Sequence, residues 1–178
     1  MDKAKLRQVI LDQQELFHQR KGLIKREIEL ASYLKGNEII VITGIRRCGK
    51  SSLLRLIAEQ LKTEALYLNF DDVRLVEFTY ENFQDVQNIS IELYGKQCTF
   101  FLDEIQNALY WQRWVNMLFE QGIKVFLTGS NAALLSSEIA TFLTGRNKCI
   151  SLFPFSFTEY LTIKELSISS TATSIEQA

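Results

Sequence analysis

The sequence predicts an α/β fold built on a central, mostly parallel five-stranded sheet. Short apolar runs alternate with segments of helical periodicity four or more times along the chain, and this alternation is typical of parallel sheets with helical crossovers. The apolar runs are continuous, which is the pattern of strands buried on both faces. At 178 residues, the chain is long enough for one domain with a substantial core. In such folds, ligands bind at the carboxyl ends of the strands.

The first half of the chain contains a helical segment, then two strands separated by a helix. Residues 3–34 consist mostly of strong helix formers, and Gly22 is expected to separate two helices there. Residues 39–43 form a continuous apolar run and are the first predicted strand. Residues 50–61 carry apolar side chains at helical spacing, and residues 65–70 are the second predicted strand.

The second half continues the alternation. Its predicted elements are a helix over 80–94, a strand over 98–102, a helix over 108–120, a strand over 124–128, a helix over 131–142, a strand over 147–153 and a helix over 157–166. Gly95 ends the first of these helices, and Pro154 ends the last strand. Trp111 and Trp114 lie on one face of the helix over 108–120, so we expect them in the core and not in a cofactor site.

These elements predict three parts of the chain. Residues 1–35 are expected to be an N-terminal helical segment packed on the core, and residues 36–166 to be the main domain. Residues 167–178 are rich in Ser and Thr, which predicts a flexible tail or a linker to a further C-terminal region.

Composition excludes several classes of protein. Hydrophobic residues make up 47% of the chain and charged residues 23%, unlike disordered or membrane proteins. A net charge of −1 gives no support for nucleic acid or an anionic membrane as partner. The sequence also lacks an apolar run of the roughly 20 residues that span a bilayer and the apolar core of a secretion signal at its start. The widely spaced Cys48, Cys98 and Cys149 predict free thiols in the cytoplasm.

A glycine-rich segment between the first strand and the next helix has the pattern of a phosphate-binding loop. The predicted nucleotide-binding residues are Gly44, Ile45, Arg46, Arg47, Cys48, Gly49, Lys50, Ser51 and Ser52. Glycines let successive backbone N–H groups point at phosphates, and the helix start adds its positive end. Lys50 can reach the β- and γ-phosphates, and the Ser51 hydroxyl can bind Mg²⁺. The alternative is a glycine-rich turn with a solvated lysine.

Two carboxylates follow the third predicted strand. Asp103 is expected to emerge at its carboxyl end and to hold Mg²⁺ together with Ser51. Glu104 would be redundant for the metal, but it is well placed to polarise an attacking water. The alternative is that both residues only cap the next helix.

The chain resembles the prokaryotic AAA-superfamily P-loop ATPases, in the division with an additional strand and a catalytic glutamate. The matching pieces are GIRRCGKSSLL at 44–54, YLNFDD at 67–72, FLDEIQ at 101–106, WQRWVNML at 111–118, FLTGSN at 126–131, GR at 145–146 and PFSFTEY at 154–160. The resemblance implies a three-layer αβα P-loop NTPase fold, in which one strand lies between that of Asp103 and the strand before Lys50. It also implies ATP and Mg²⁺ as cofactors.

The resemblance implies further roles. Ser130 or Asn131 is similar to the polar sensor of the γ-phosphate or the attacking water, and the alternative is a helix N-cap. Arg146 is similar to the family's arginine finger, which acts on a neighbouring subunit's nucleotide and would make the protein a homo-oligomer. The alternative is a surface arginine in a turn. The family's C-terminal lid and its sensor arginine have no counterpart here, so we expect a core domain with weak activity alone.

The other loop residues allow two interpretations each. Arg46 and Arg47 either add positive potential near the phosphates or point to solvent. Cys48 is either a small filler beside the glycines or a redox-sensitive thiol, since a helix N-terminus lowers a thiol pKa.

The predicted function is Mg²⁺-dependent ATP hydrolysis. The alternative is a slow-turnover, ATP-dependent regulatory switch or assembly module that recruits a protein partner or a C-terminal domain. A small-molecule kinase would need an arginine-rich lid over the phosphates. A GTPase would need an Asn-Lys-x-Asp motif, and Asn147-Lys148-Cys149-Ile150 lacks the aspartate.

Overall fold

A computed structural model describes residues 1–19, 22–130 and 143–164. The strands are β1 (Ile39–Thr43), β2 (Ala65–Asn69), β3 (Thr99–Asp103), β4 (Val125–Gly129) and β5 (Asn147–Ser151). The helices are α1 (Lys3–Gln19), α2 (Ala31–Leu34), α3 (Lys50–Leu61), α4 (Asn82–Tyr94), α5 (Trp111–Glu120) and α6 (Phe157–Ile163), with 3₁₀ turns at Val73–Leu75 and Ile105–Asn107. The predicted helix over 131–142, the end of the last predicted helix and the predicted tail lie outside the described residues.

The five strands form one parallel sheet in the order β2-β3-β4-β1-β5. This confirms the predicted α/β class and the five strands. It also places β4 between β3 and β1, as the resemblance implies for the strand of Asp103 and the strand before Lys50. Because all five strands run the same way, their carboxyl ends meet at one edge of the sheet.

Helices cover both faces of the sheet and make three layers. Successive β1 residues point to opposite faces, so Ile39 and Val41 pack in one core cluster and Ile40 and Ile42 in the other. The first cluster also contains residues of α1, α4 and α5, including the predicted core residues Trp111 and Trp114. The second contains residues of α3. The two clusters hold the strands rigidly, so the side chains at their ends keep defined positions.

The N-terminal helix α1 covers the outer edge of β2. The Gln13 side chain accepts a hydrogen bond from the backbone N–H of Asn69 at 2.7 Å and donates to its carbonyl at 3.2 Å. The Gln14 side chain accepts from the N–H of Tyr67 and donates to the carbonyl of Ala65, both at 2.9 Å. These two amides satisfy backbone groups that an edge strand would otherwise expose.

The prediction of a second N-terminal helix after Gly22 is wrong for most of its length. Residues 22–30 run without helix, and only the one-turn α2 follows. The reason is tertiary. Arg26 and the backbone N–H of Glu27 form hydrogen bonds with residues far away in the chain, and these tertiary contacts outweigh the local helix propensity.

Other boundaries differ by a few residues. Helix α5 begins at Trp111 and not at 108, because Ile105–Asn107 forms a 3₁₀ turn and Tyr110 has a left-handed φ of 65°. Strand β5 ends at Ser151, before the predicted limit of 153. Among the described residues, no helix is long and apolar enough to cross a bilayer.

Candidate active site

The phosphate loop, residues 44–51, connects the carboxyl end of β1 to the start of α3. A Cβ at Gly44 would lie 2.3 Å from the backbone oxygen of Leu152 and 2.8 Å from Sγ of Cys48. The N–H of Leu152 donates to the carbonyl of Thr43 at 2.7 Å. Gly44 therefore has to be glycine because the chain after β5 crosses directly over the loop, and Gly49 is needed for its φ of 99°.

Lys50 is buried, with 5% of its surface exposed, and its side chain lies along the phosphate loop. Its Nζ donates to the carbonyl of Gly44 at 3.2 Å and to that of Ile45 at 3.4 Å. The same Nζ lies 3.5 Å from Oε1 of Glu104. The loop lysine and the carboxylate after β3 are thus in contact, although 54 positions separate them in the sequence.

The remaining loop residues differ in exposure. Ile45, Arg46 and Arg47 are exposed, and Ser51 and Ser52 are half-buried in the first turn of α3. The Cys48 side chain is buried in the core cluster beneath α3 and fills the space beside Gly44, the place expected of a small filler.

Asp103 is fully buried at the end of β3 and is held from two sides. Its Oδ1 accepts a short hydrogen bond from the hydroxyl of Thr128 on β4. Its Oδ2 accepts from the hydroxyl of Tyr67 on β2 at 2.8 Å. A carboxylate has about four acceptor positions, so these donors orient Asp103 and still leave capacity for a water or a cation.

Glu104 follows in a left-handed backbone conformation with φ 49°. Its N–H donates to the Thr128 hydroxyl at 3.0 Å. Its Oε2 accepts from the N–H of Ser130 at 3.1 Å and from Nε2 of Gln106 at 2.7 Å. Burial raises the pKa of Glu104, but hydrogen bonds from Gln106 and Ser130 and the charge of Lys50 outweigh it and leave that pKa below its ordinary value. Glu104 is therefore an ionised acceptor at neutral pH.

Oxygen ligands for a magnesium ion are available where β1 and β3 end. Ser51 and Asp103 offer a hydroxyl and a carboxylate, the hard donors that Mg²⁺ prefers. The described residues contain no cluster of three or more His, Cys, Asp or Glu side chains that could hold a metal alone. The donor set therefore fits an ion that takes its other ligands from phosphates and water.

Arg146 does not join this group within the same chain. It precedes β5, and its carbonyl accepts from the N–H of Ile39 at the amino end of β1. A five-residue strand spans about 16 Å, so Arg146 lies at the amino ends of the strands, opposite the carboxyl ends where Lys50 lies. Its guanidinium donates to Asn116 at 2.6 Å and to Glu120 at 3.2 Å. Its role on a neighbouring subunit stays a prediction, and Asn131 lies outside the described residues.

Sequence reasoning assigned no role to four residues at or near the site: Tyr67, Gln106, Thr128 and Arg26. The first three lie in fragments that carry the family resemblance, and for Thr128, one residue before the end of β4, position near a strand end was a usable signal. Arg26 had no such signal, because it lies in a segment with a helical composition.

Comparison with known proteins agrees with this geometry. A family model described as AAA domain matches residues 36–161. An uncharacterized protein of Methanocaldococcus jannaschii is 37% identical over 172 residues, which cover 96% of this chain and 38% of that protein. One of Haemophilus influenzae is 36% identical over 162 residues, which cover 82% of this chain and 39% of that protein. This chain therefore spans about two fifths of the length of these relatives.

Among solved structures, the Thermotoga maritima RuvB Holliday junction branch migration motor superposes with a TM-score of 0.52. It is 17% identical, and the match covers 71% of this chain and 41% of that one. At this identity, the similarity shows the fold. The family match extends over more than half of the sequence and contains both the phosphate loop and the Asp103-Glu104 pair. The chain belongs to the AAA domain family and is a nucleotide-binding, ATPase-like P-loop domain.

Proposed function

We propose that this domain binds ATP with Mg²⁺ and hydrolyses the bond to the γ-phosphate. One observation carries the proposal: Nζ of Lys50 and Oε1 of Glu104 lie 3.5 Å apart where the loop after β1 meets the end of β3. A phosphate-binding cation and a carboxylate that can orient water are the two groups required on either side of a γ-phosphate.

Binding would use the phosphate loop and Lys50. The backbone N–H groups of the loop and the start of α3 attract phosphate oxygens. Lys50, which now bonds two loop carbonyls, would transfer its hydrogen bonds to the β- and γ-phosphates. Ser51 and Asp103 would hold Mg²⁺, which neutralises charge that develops on the phosphates. The preference for adenine follows from the family alone.

Hydrolysis would use Glu104 to orient and polarise the attacking water. Its carboxylate is ionised and anchored, so it can accept a proton without first losing one. Thr128 holds the backbone of Glu104 and the side chain of Asp103 together. Ser130, and Asn131 beside it, would contact the γ-phosphate or the water. Arg146 would act on a nucleotide in a neighbouring copy, which makes a homo-oligomer part of the proposal.

The second candidate is an ATP-dependent switch with slow turnover. The observation that favours it is that three groups already engage the Glu104 carboxylate, namely Gln106, the N–H of Ser130 and Lys50. A carboxylate held in this way has to be released before it can orient water. Turnover would then depend on a partner or on a C-terminal region.

Calorimetric titration with ATP and Mg²⁺ tests the binding step. We expect a micromolar dissociation constant for the chain and a weakening of about 100-fold in Lys50→Ala, equivalent to about 2.7 kcal/mol. Lys96→Ala, which removes an exposed lysine away from the loop, is the matched control and should bind normally. Folded wild-type protein that does not bind ATP would contradict the proposal.

The rate of ATP hydrolysis then distinguishes the enzyme from the slow-turnover switch. Hydrolysis that disappears in Glu104→Gln while ATP binding persists supports the enzyme. Hydrolysis that is equal in wild-type and Glu104→Gln protein shows that the role given to Glu104 is wrong. Very slow turnover together with an ATP-dependent change in oligomeric state would support the switch.

A further inference from the structure

Arg26 links three separate parts of the chain from a buried position. Its side chain is 7% exposed, and its Nε donates to Oε1 of Glu159 on α6 at 2.8 Å. Its Nη1 donates to the carbonyl of Cys48 in the phosphate loop at 3.1 Å. Its Nη2 donates to the carbonyl of Phe153 at 2.8 Å and, more weakly, to that of Pro154 at 3.4 Å. We call this set of contacts the Arg26 latch.

Glu159 completes the latch with its remaining acceptor positions. Its Oε1 also accepts from the N–H of Glu27, and its Oε2 accepts from the N–H of Ser156, both at 2.8 Å. The Ser156 hydroxyl in turn accepts from the N–H of Glu159, which forms a capping box at the start of α6. Removing either charged partner would leave the other buried and uncompensated, so the latch is maintained as a unit.

The latch acts on the part of the phosphate loop that determines its shape. A peptide group is planar and trans, so the Cys48 carbonyl and the Gly49 N–H point in opposite directions. By holding that carbonyl, Arg26 sets the direction of the Gly49 N–H, one of the donors that would bind phosphate. A Cβ at Gly49 would lie 3.5 Å from Nη1 of Arg26, so the guanidinium is in contact range of the loop.

The other end of the loop touches the same distant segment. The chain after β5 brings the Leu152 oxygen against Gly44, and the next two residues accept from Arg26. The PFSFTEY fragment at 154–160, which the proposed hydrolysis does not use, therefore contacts the phosphate loop through one arginine.

We infer that Arg26 is a positioning residue of the phosphate loop, through which residues 153–159 control the loop conformation and thereby the affinity for nucleotide. The part of this inference that concerns nucleotide rests on the proposed function. The part that concerns loop conformation does not.

Cysteine reactivity tests the loop conformation without nucleotide. The experiment uses Cys149→Ser protein, because Cys149 is exposed while Cys48 and Cys98 are buried. Burial raises the pKa of the Cys98 thiol to about 12, so Cys98 reacts only when the domain opens. Mass spectrometry after treatment with an aromatic disulfide reagent gives the rate at each thiol.

We expect Arg26→Gln to raise the ratio of Cys48 to Cys98 labelling by about tenfold, through local opening around the phosphate loop. Arg74→Gln is the matched control, because Arg74 forms ion pairs with Asp12 and Asp72 away from the loop. It should leave the ratio of Cys48 to Cys98 labelling unchanged. Arg26→Lys, which keeps the charge but not the forked contacts, should give an intermediate rate at Cys48. A ratio of Cys48 to Cys98 labelling that stays constant in both Arg26 variants would overturn the inference, because it would indicate only a global loss of stability.

Calorimetry with ATP and Mg²⁺ tests the consequence for nucleotide. Well below the unfolding temperature, we expect the dissociation constant to rise about tenfold in Arg26→Gln and to be unchanged in Arg74→Gln. If Arg26→Gln frees Cys48 but binds ATP normally, control of affinity by the latch is refuted. If wild-type protein does not bind ATP, the proposed function fails, and the labelling ratio still decides whether the latch holds the loop.

Discussion

The hydroxyl of Thr128 lies between the two acidic residues of the candidate site. It donates to the carboxylate of Asp103 and accepts from the backbone N–H of Glu104 at 3.0 Å. Thr128 is itself fully buried on β4. One hydroxyl therefore fixes the orientation of the carboxylate proposed to hold magnesium and the backbone position of the carboxylate proposed to activate water.

Replacing Thr128 with Val should impair both stability and turnover. Valine keeps the shape but leaves a buried carboxylate and a buried N–H without one partner, which costs about 1–3 kcal/mol of unfolding free energy. We expect ATP hydrolysis to fall by about tenfold or more, because preorganised polar groups supply much of such catalysis. Urea unfolding and a phosphate-release assay measure the two effects.

Thr99→Val is the matched control for this substitution. Thr99 is also buried, but it lies at the start of β3, and its hydroxyl is 3.4 Å from that of Thr63. It should lose some stability and keep normal turnover. Equal turnover in the Thr128 and Thr99 variants would refute the positioning role of Thr128.

At the scale of elements, helix α1 supplies the hydrogen bonds that a sixth strand would otherwise make with the outer edge of β2. Gln13 and Gln14 each accept from one backbone N–H of β2 and donate to one of its carbonyls. An uncovered edge strand is a template for pairing with another chain. Two neighbouring side-chain amides on the buried side of α1 therefore protect the sheet edge.

The double variant Gln13→Ala, Gln14→Ala should expose that edge. The four hydrogen bonds to β2 disappear, and so do those of Gln13 with Asp72 and of Gln14 with His18. The loss of the four bonds to β2 lowers the free energy of unfolding by roughly 2–4 kcal/mol. We also expect concentration-dependent self-association, because the edge of β2 becomes available for pairing. Urea unfolding and light scattering over a range of protein concentrations check the two expectations.

Gln8→Ala controls for the loss of a glutamine from the same helix. Gln8 is exposed, and its side-chain amide donates to the carboxylate of Asp12, one turn further along α1, at 2.7 Å. It should change stability little and scattering not at all. A double variant that stays monomeric at all concentrations would show that α1 is not needed to protect the edge.

For the whole molecule, the electrostatics of the fold predict sensitivity to acid. Among the residues that the structure describes, six carboxyls have pKa values below their ordinary values: Asp12, Glu38, Asp72, Glu92, Glu104 and Glu159. Hydrogen bonds from Arg74 hold the pKa of Asp72 at about 2, against an ordinary 3.8. Between the folded and the ordinary pKa values of these carboxyls, the folded chain binds fewer protons than the unfolded chain. Its free energy of unfolding therefore falls as the pH falls.

The stabilisation is complete above the ordinary pKa values of 3.8 for Asp and 4.5 for Glu. It is lost progressively as pH falls through the folded values, which for Asp72 extends to about 2. We expect urea unfolding to show a lower free energy at pH 3 than at pH 7. The partner Arg74 is partly exposed, so solvent screens the ion pair. We therefore expect the ionised Asp72 to contribute about 1 kcal/mol to the free energy of unfolding.

The variant Asp72→Asn tests the contribution of the Asp72 charge to the free energy of unfolding. The variant should be less stable than wild type at pH 7, and the two should converge towards pH 2 as Asp72 becomes protonated. A difference between them that is independent of pH would show that Asp72 acts through packing and not through its charge.

Local pattern was sufficient to predict much of the fold and part of the site. Apolar runs and helical spacing are properties of neighbouring residues, so they predicted the five strands and most of the helices. The spacing of Gly44, Gly49 and Lys50 and the position of Asp103 at a strand end predicted which side chains meet, because parallel strands end at one edge. At that edge, Lys50 and Glu104 are in contact, and the roles predicted for the site residues stay predictions.

Contacts between distant residues required the tertiary structure. Arg26 and Glu159 are 133 positions apart, and their pairing keeps residues 22–30 out of the helix that composition predicted. The partners of Asp103, the hydrogen bonds of the α1 glutamines to β2 and the placement of Arg146 at the opposite ends of the strands also depend on tertiary structure. A hydrogen bond depends on where two side chains lie after the elements pack, and no periodicity along the chain encodes that position.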